Sequence, residues 1–507
     1  MNTSTIRRMS RLTILLGLGC ISSTVFADAL NTPPPGAPLE ERMELEPILS
    51  SLVHNHIAKE ERLPGQQPYV VPKVWYSEEG RVLNVELGKA YLPTDYTISF
   101  EERMIAIADL LYIYTEKRTP IYKVDLWFDG KNVYDYFPEE RGPAERVDTE
   151  SRSDARRRSK RVAGGGRVMV AAGHGIYYNS KYKDWRPQRG PSNSILEDMI
   201  TPTFAGFLQT YMTERSGVEV IRARPPRLAV HAESGRRWGA IAARYHIKDA
   251  VPELPAIWSS AGKRSSEGLE ERDQDIRSRP LYANHLGVDT LFHLHTNAHA
   301  DSSVRGIRAF HHPKSPESKR LGQLALCYMK ESLGTNASFA KFPVARDPLA
   351  ADHGENRLAD MPSIIVELGF HTNAEDAAAI QNYVFQGLAT RGLEKAYRMF
   401  KEGNGCETFS ATYSEVTVVS DSTRDAEIVF GGFPRFPVKY TSTVAECPSG
   451  ILCVSLGGRF ATAETPRTIT HSCSSSQPMT MKWNVTFTDA DGVKAEALST
   501  VHCQPKA

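Results

Sequence analysis

Four places in the middle of the chain carry side chains that could do metal-assisted hydrolysis. The strand-like run 167–173 ends in Gly173-His174-Gly175, and Glu197 and Asp198 open the next helical stretch. A second strand run finishes as Phe292-His293-Leu294-His295-Thr296-Asn297-Ala298, and Glu367 lies in the run 363–370. Two imidazoles and one carboxylate are the ligand set of a catalytic zinc that keeps its fourth position for water. A second carboxylate nearby can take a proton from that water and deliver it to a leaving amine. A lone strand histidine is more often a packed core residue, so the chemistry depends on the four places converging. The residue types alone leave two choices open: His293 or His295, which period two puts on one strand face with Asn297, and Glu197 or its neighbour Asp198.

The elements around these places read as an α/β layered domain. Strand runs at 167–173, 218–221, 291–298, 306–310 and 363–370 alternate with helical stretches at 193–216, 272–286, 316–333 and 375–400. That alternation predicts a mostly parallel sheet flanked by helices. In such sheets sites form beyond the carboxyl ends of the strands, which is where the four places fall. Ahead of this domain, residues 28–139 read as a small α/β domain. It has a helix at 40–59, a strand at 82–87, a capping box of Ser99 with Glu102 before a helix at 103–114, and a strand at 124–128 closed by Asp129-Gly130. Residues 140–166 are rich in Arg, Ser and Gly, include the basic run 156–161, and read as a linker. From residue 403 onward the pattern turns all-β, with short strands and the turn Asp489-Ala490-Asp491-Gly492. This predicts an immunoglobulin-like sandwich over 403–507, with Trp483 in its core.

Length and charge limit the remaining classes. The chain has 507 residues, enough for about three domains. Its 61 Lys and Arg balance 60 Asp and Glu, so net charge points to no nucleic-acid partner. Arg7, Arg8 and Arg11 precede an apolar run at 12–21, and Val25-Phe26-Ala27 fits a signal-peptidase site. The expectation is an exported protein, periplasmic or secreted, with signal peptide 1–27 and no membrane span. A lipid anchor at Cys20 is the lesser alternative, because Gly17 stands where a branched apolar residue is preferred. Of the seven cysteines, five (Cys406, Cys447, Cys453, Cys473 and Cys503) lie in the last stretch, while Cys327 stands apart. After export this clustering predicts disulfides in a terminal domain, with Cys473 and Cys503 bridging neighbouring strands.

The motifs Ala172-Gly173-His174-Gly175, Glu197, His295-Thr296-Asn297-Ala298 and Val366-Glu367-Leu368-Gly369-Phe370-His371-Thr372-Asn373 resemble the zinc-dependent N-acetylmuramoyl-L-alanine amidases of the Amidase_3 family. The resemblance spans about 167–400, within a catalytic domain taken as 167–402. It implies that His174, Glu197 and His295 hold Zn2+ and that Glu367 is the catalytic carboxylate. On this reading zinc-bound water cleaves the amide between N-acetylmuramic acid and the L-alanine of the stem peptide, so peptidoglycan is the substrate. A zinc peptidase of other specificity, or a catalytically silent wall-binding protein, is the alternative. His293, Asn297 and Arg189 are expected to touch substrate or to support the ligands, and Arg279 and Asn284 to be structural supports. The segment 82–138 more weakly resembles the GerMN-type domains of spore-germination and cell-wall proteins, which implies a binding or positioning role and a cell-wall or divisome-type protein partner. Some relatives carry an inhibitory helix in an insertion comparable to 224–271, so Glu267, Glu270 and Glu271 are candidates to cap the metal.

Overall fold

The computed structural model describes residues 35–142, 166–260 and 268–506. The expected signal segment with Cys20, the basic run 156–161 and Glu267 lie outside the described residues.

Nine strands form one sheet. In chain order they are β1 (Lys73–Tyr76), β2 (Val82–Glu86), β3 (Lys123–Trp127), β4 (Arg167–Ala172), β5 (Glu219–Arg222), β6 (Thr290–Asn297), β7 (Arg308–His311), β8 (Leu349–Ala350) and β9 (Ser363–Phe370). The spatial order is β1-β2-β3-β8-β7-β9-β6-β4-β5. Every neighbouring pair is parallel except β1 with β2 and β7 with β9, so the sheet is mostly parallel as expected. Strands covered on both faces carry near-continuous apolar runs. In β9, Ile364, Ile365, Val366, Leu368 and Phe370 are all buried.

Helices cover both faces. Val168, Val170, Phe292, Leu294, Ile364 and Val366 face α3 (Glu197–Tyr211), α6 (Pro316–Gly334) and α8 (Tyr383–Glu402) in one core. Met169, Ala171 and Leu291 pack on the opposite side against Ala243 and Ile247 of α4 (Ala243–Ala250) and Ala283 of α5 (Glu270–Leu286). The N-terminal residues contribute α1 (Leu39–Ile57) and α2 (Ile98–Thr115). Their strands do not form a separate sheet: β3 pairs with β8 through Lys123 and Ala350, which extends the central sheet by three strands.

Several boundaries differ from the sequence reading. The cap of α2 is Thr97, whose side chain accepts from the Phe100 N–H, and Glu102 instead pairs with Arg272 at 3.1 Å. Ser99 lies inside the helix, so the expected capping box is not formed. The stretch read as one helix at 193–216 begins at Glu197 and passes at Met212 into a wider turn that Gly217 ends in the left-handed conformation. The stretch read as a single helix at 375–400 is two, α7 (Ala374–Ile380) and α8, because Asn382 caps a new start on the Val384 N–H. The long polar insertion contains α4 rather than loop alone.

The last hundred residues form a three-stranded and a five-stranded sheet. Two long strands, Met479–Thr488 and Lys494–Gln504, pair antiparallel and alternate inward and outward side chains. Trp483 lies in the core with Val485, Phe487 and Val501, and its indole N–H donates to the Val454 carbonyl at 3.0 Å. Disulfides join Cys473 to Cys503, Cys447 to Cys453, and Cys327 on α6 to Cys406 just after α8. The third ties the helical layer to the chain entering the β-rich region.

Candidate active site

Two parallel strands, β4 and β6, end side by side. The Gly173 N–H donates to the Leu294 carbonyl at 2.8 Å, which continues the ladder by one residue. The chain then turns: His174 adopts φ 58° and Gly175 φ 133°. A non-glycine residue in this region is uncommon and stays there only when its surroundings over-determine it. Here the Gly175 N–H donates to Asp198 at 2.9 Å, and Arg224 donates to the His174 carbonyl at 2.7 Å. The Asp198 carboxylate, which also accepts from the Gln188 N–H at 3.3 Å, therefore holds the turn. Glu197, one residue earlier at the start of α3, points its carboxylate at both histidines.

The geometry of that carboxylate organises the site. Its two oxygens lie 3.2 Å from His174 Nε2 and 3.2 Å from His295 Nδ1. The imidazoles meet edge to face with centroids 4.9 Å apart. Among the described residues these three form the one group of His, Cys, Asp or Glu able to share a metal ion, with ligand atoms within 4.8 Å of one another. Glu197 also accepts from the Thr296 N–H at 2.9 Å and lies 3.4 Å from Arg189 Nη1. Burial raises the Glu197 pKa, but His174, His295 and Arg189 outweigh it and hold the carboxyl well below its ordinary range. Burial likewise disfavours the His295 cation, yet Glu355 and Glu197 raise its pKa to about 10.

Glu367 faces His295 across the β6–β9 pairing. Its Oε2 is buried and has no hydrogen-bond partner. Burial is the main cause that pushes its carboxyl up to about 8; His295 opposes the rise and Glu197 adds to it. Removal from water is one way proteins bring a carboxyl near neutral pH.

The other expected residues fall in different places. His293 is fully buried, with Nδ1 3.4 Å from Glu355. Asn297 lies two residues beyond His295 on β6, where β9 carries an extra residue in the pairing, and its Oδ1 accepts the Ala298 N–H at 2.7 Å. Arg189 is half exposed beside Glu197. Arg279 lies 2.5 Å from Glu355, and Asn284 clamps the segment before β9 by donating to Leu358 and accepting from Asp360. His371 Nδ1 stands 2.9 Å from Thr296 Oγ1. Glu270 bonds Ser180, and Glu271 pairs with Arg244 at 3.1 Å and with Tyr245. These two carboxylates are thus engaged away from the histidines.

Glu355 was missed by the sequence reading. It lies 3.1 Å from His295 Nε2, on the ring edge opposite Glu197. It sits in the short helical turn Gly354–Arg357, where neither periodicity nor a motif singles it out.

Gly173 is required by close approach. A Cβ there would stand 2.4 Å from Nδ1 and Cε1 of His295. Gly173→Ala is therefore expected to displace the His295 ring and weaken metal binding at least about tenfold, measured by chelator competition, because ligand orientation commonly carries that much affinity. Unchanged affinity would mean that the ring can move at no cost.

Residues 168–396 match the family model Amidase_3, described as N-acetylmuramoyl-L-alanine amidase. No curated protein matches the chain. Among solved structures, the chain is similar to an N-acetylmuramoyl-L-alanine amidase from Clostridium difficile 630 at 16% identity, covering 48% of this chain and 99% of that one, with TM-score 0.32. It is also similar to the catalytic domain of CwlV from Bacillus (Paenibacillus) polymyxa var. colistinus, at 14% identity, 47% and 98% coverage and TM-score 0.30. A third is the CwlD amidase from Clostridioides difficile, solved in complex with the GerS lipoprotein, at 15% identity, 47% and 100% coverage and TM-score 0.32.

Proposed function

Because the chain carries an Amidase_3 domain over residues 168–396, we propose that it is an exported peptidoglycan hydrolase that cleaves the amide between N-acetylmuramic acid and L-alanine. The observation that carries this reading is the convergence of His174, Glu197 and His295, with Glu367 on the adjoining strand.

The residues fit a divalent zinc ion. Two imidazole nitrogens and a carboxylate face one another with their ligand atoms inside 4.8 Å, and a buried carboxylate oxygen beside them lacks a partner. When bound by His174, Glu197 and His295, Zn2+ supplies Lewis-acid polarisation of the scissile carbonyl and acidifies water. Glu367 takes the proton from the attacking water at Oε2 and delivers it to the departing alanine nitrogen, a task suited to a carboxyl pushed up to about 8 by burial. Arg189, half exposed at the rim, is suited to a carboxylate of the stem peptide.

The segments 28–139 and 403–507 are assigned to positioning the enzyme on wall polymer or on a protein partner. The three disulfides accord with an oxidising compartment after export. No described helix is long and apolar enough to cross a membrane.

Digestion of purified peptidoglycan by the zinc-loaded protein tests the reaction. The expected products are glycan strands with free muramic-acid carboxyls and stem peptides with a new alanine amino terminus. New termini within the peptides would instead make it a peptidase. Binding to peptidoglycan without turnover after zinc loading would make it a wall-binding protein.

A further inference from the structure

The N-terminal segment reaches the metal site through a chain of buried contacts. Glu355 lies 3.1 Å from His295 Nε2, and Arg279 Nη1 and His293 Nδ1 stand 2.5 and 3.4 Å from its other oxygen, as ion-pair contacts. Its backbone is the turn Gly354–Arg357, and a residue more than two hundred positions earlier fixes that turn. Glu101 of α2 accepts the Gly354 N–H at 2.7 Å with one oxygen and meets Arg357 Nη2 at 2.5 Å with the other. Tyr96 donates to Glu101 at 3.1 Å, and the Arg357 guanidinium lies over the rings of Tyr96 and Tyr134. Glu101, Glu355 and Arg357 are each no more than 5% exposed. Burying two carboxylates and a guanidinium is costly unless each is paired, so this cluster holds one arrangement and resists others.

We propose that Glu355 is a positioning residue that turns His295 Nδ1 toward Glu197, and that Glu101 in the N-terminal segment sets Glu355 through the Gly354–Arg357 turn. The N-terminal segment is then part of the metal site's support, not only a module carried beside it. A histidine ligand whose second nitrogen meets a carboxylate has its ring orientation and tautomer fixed, and loss of such a partner typically costs about 10–100-fold in metal affinity. The inference rests on the reading of His295 as a ligand.

The test uses the full chain, with zinc affinity from chelator competition and the visible absorption of the cobalt(II)-substituted protein as a signature of ligand geometry. Glu355→Gln is expected to weaken zinc binding about 10–100-fold and to shift the cobalt bands. Glu101→Gln is expected to shift those bands in the same direction with a smaller loss, on the order of 3–10-fold. The double variant E101Q/E355Q should bind as weakly as E355Q alone, since contacts in series do not add. Glu44→Gln, an exposed ion-pair change on α1, should leave affinity and spectrum as in the wild type. If Glu101→Gln does not fold, E101Q/R357Q removes both charges together and is read in the same way. A wild-type spectrum in the Glu101 variant, or additive losses in E101Q/E355Q, would overturn the proposal. Wild-type zinc binding by His174→Ala and Glu197→Gln would instead overturn the site reading beneath it.

Discussion

Replacing Glu367 with glutamine should leave metal binding nearly intact and lower hydrolysis about 10²–10⁴-fold, whereas His174→Ala and His295→Ala should lose both. The distinction follows from placement. His174 Nε2 and His295 Nδ1 face the two oxygens of Glu197, so deleting either ring removes one of the three proposed ligands. Glu367 stands one strand away with an unpartnered oxygen, and glutamine keeps its shape while losing the basic site. Metal content and single-turnover rates on purified peptidoglycan separate the two classes. A transition-state loss lowers kcat and kcat/KM together. Near-normal turnover in Glu367→Gln would remove this residue from the proton transfer.

The second large effect is on stability in the absence of metal. Raising the pH from 6.5 to 10 should destabilise the metal-free protein by a few kcal/mol, at about 1.4 kcal/mol for each pH unit between the unfolded and folded titrations. His295 has a folded pKa near 10, above its unfolded value, because Glu355 and Glu197 outweigh its burial. Its contribution is fully present below about pH 6.5 and is lost as the pH rises through 10. Glu367, raised to about 8 mainly by burial, binds its proton more tightly when folded and adds a loss of the same sign as the pH rises toward 8. Glu197 and Glu355, both held well below the ordinary carboxylate range, act oppositely: their contribution is lost on acidification. Urea unfolding in chelator at pH 6.5 and 9.5 measures the alkaline loss, and His295→Gln should remove most of it. Equal slopes in wild type and variant would place the titration elsewhere. The same proton must leave His295 when a metal binds, so affinity should climb with pH over this range.

The local signals in the chain were well matched to what they encode. Buried parallel strands advertise themselves as apolar runs, and β9 begins and ends where its run does. The Gly-His-Gly corner marks a turn that needs unusual backbone angles, and His174 adopts one. The neighbours Glu197 and Asp198 could not be told apart by type. Only the entry angle of α3 directs one carboxylate to the imidazoles and the other to the Gly175 N–H. The extra residue that β9 gains opposite His295 and Asn297 was not legible in its apolar run, which reads as continuous.

Sequence by itself determined the alternation of the main strands and helices in the central domain, though not β1, β8 or α4, the four strand-end and helix-start positions that bear imidazole or carboxylate, and the all-β character of the last hundred residues. These depend on periodicities and turn chemistry that act over a few neighbouring positions. Only the tertiary structure decided that the N-terminal strands extend the central sheet, that Cys327 pairs with Cys406, and that Glu355 stands behind His295 with Glu101 behind it. The Glu101–Arg357 pair spans 256 residues. Such a contact leaves no mark on either local sequence, because a buried charge is tolerated only where distant elements bring it a partner, and that meeting is a property of the assembled layers.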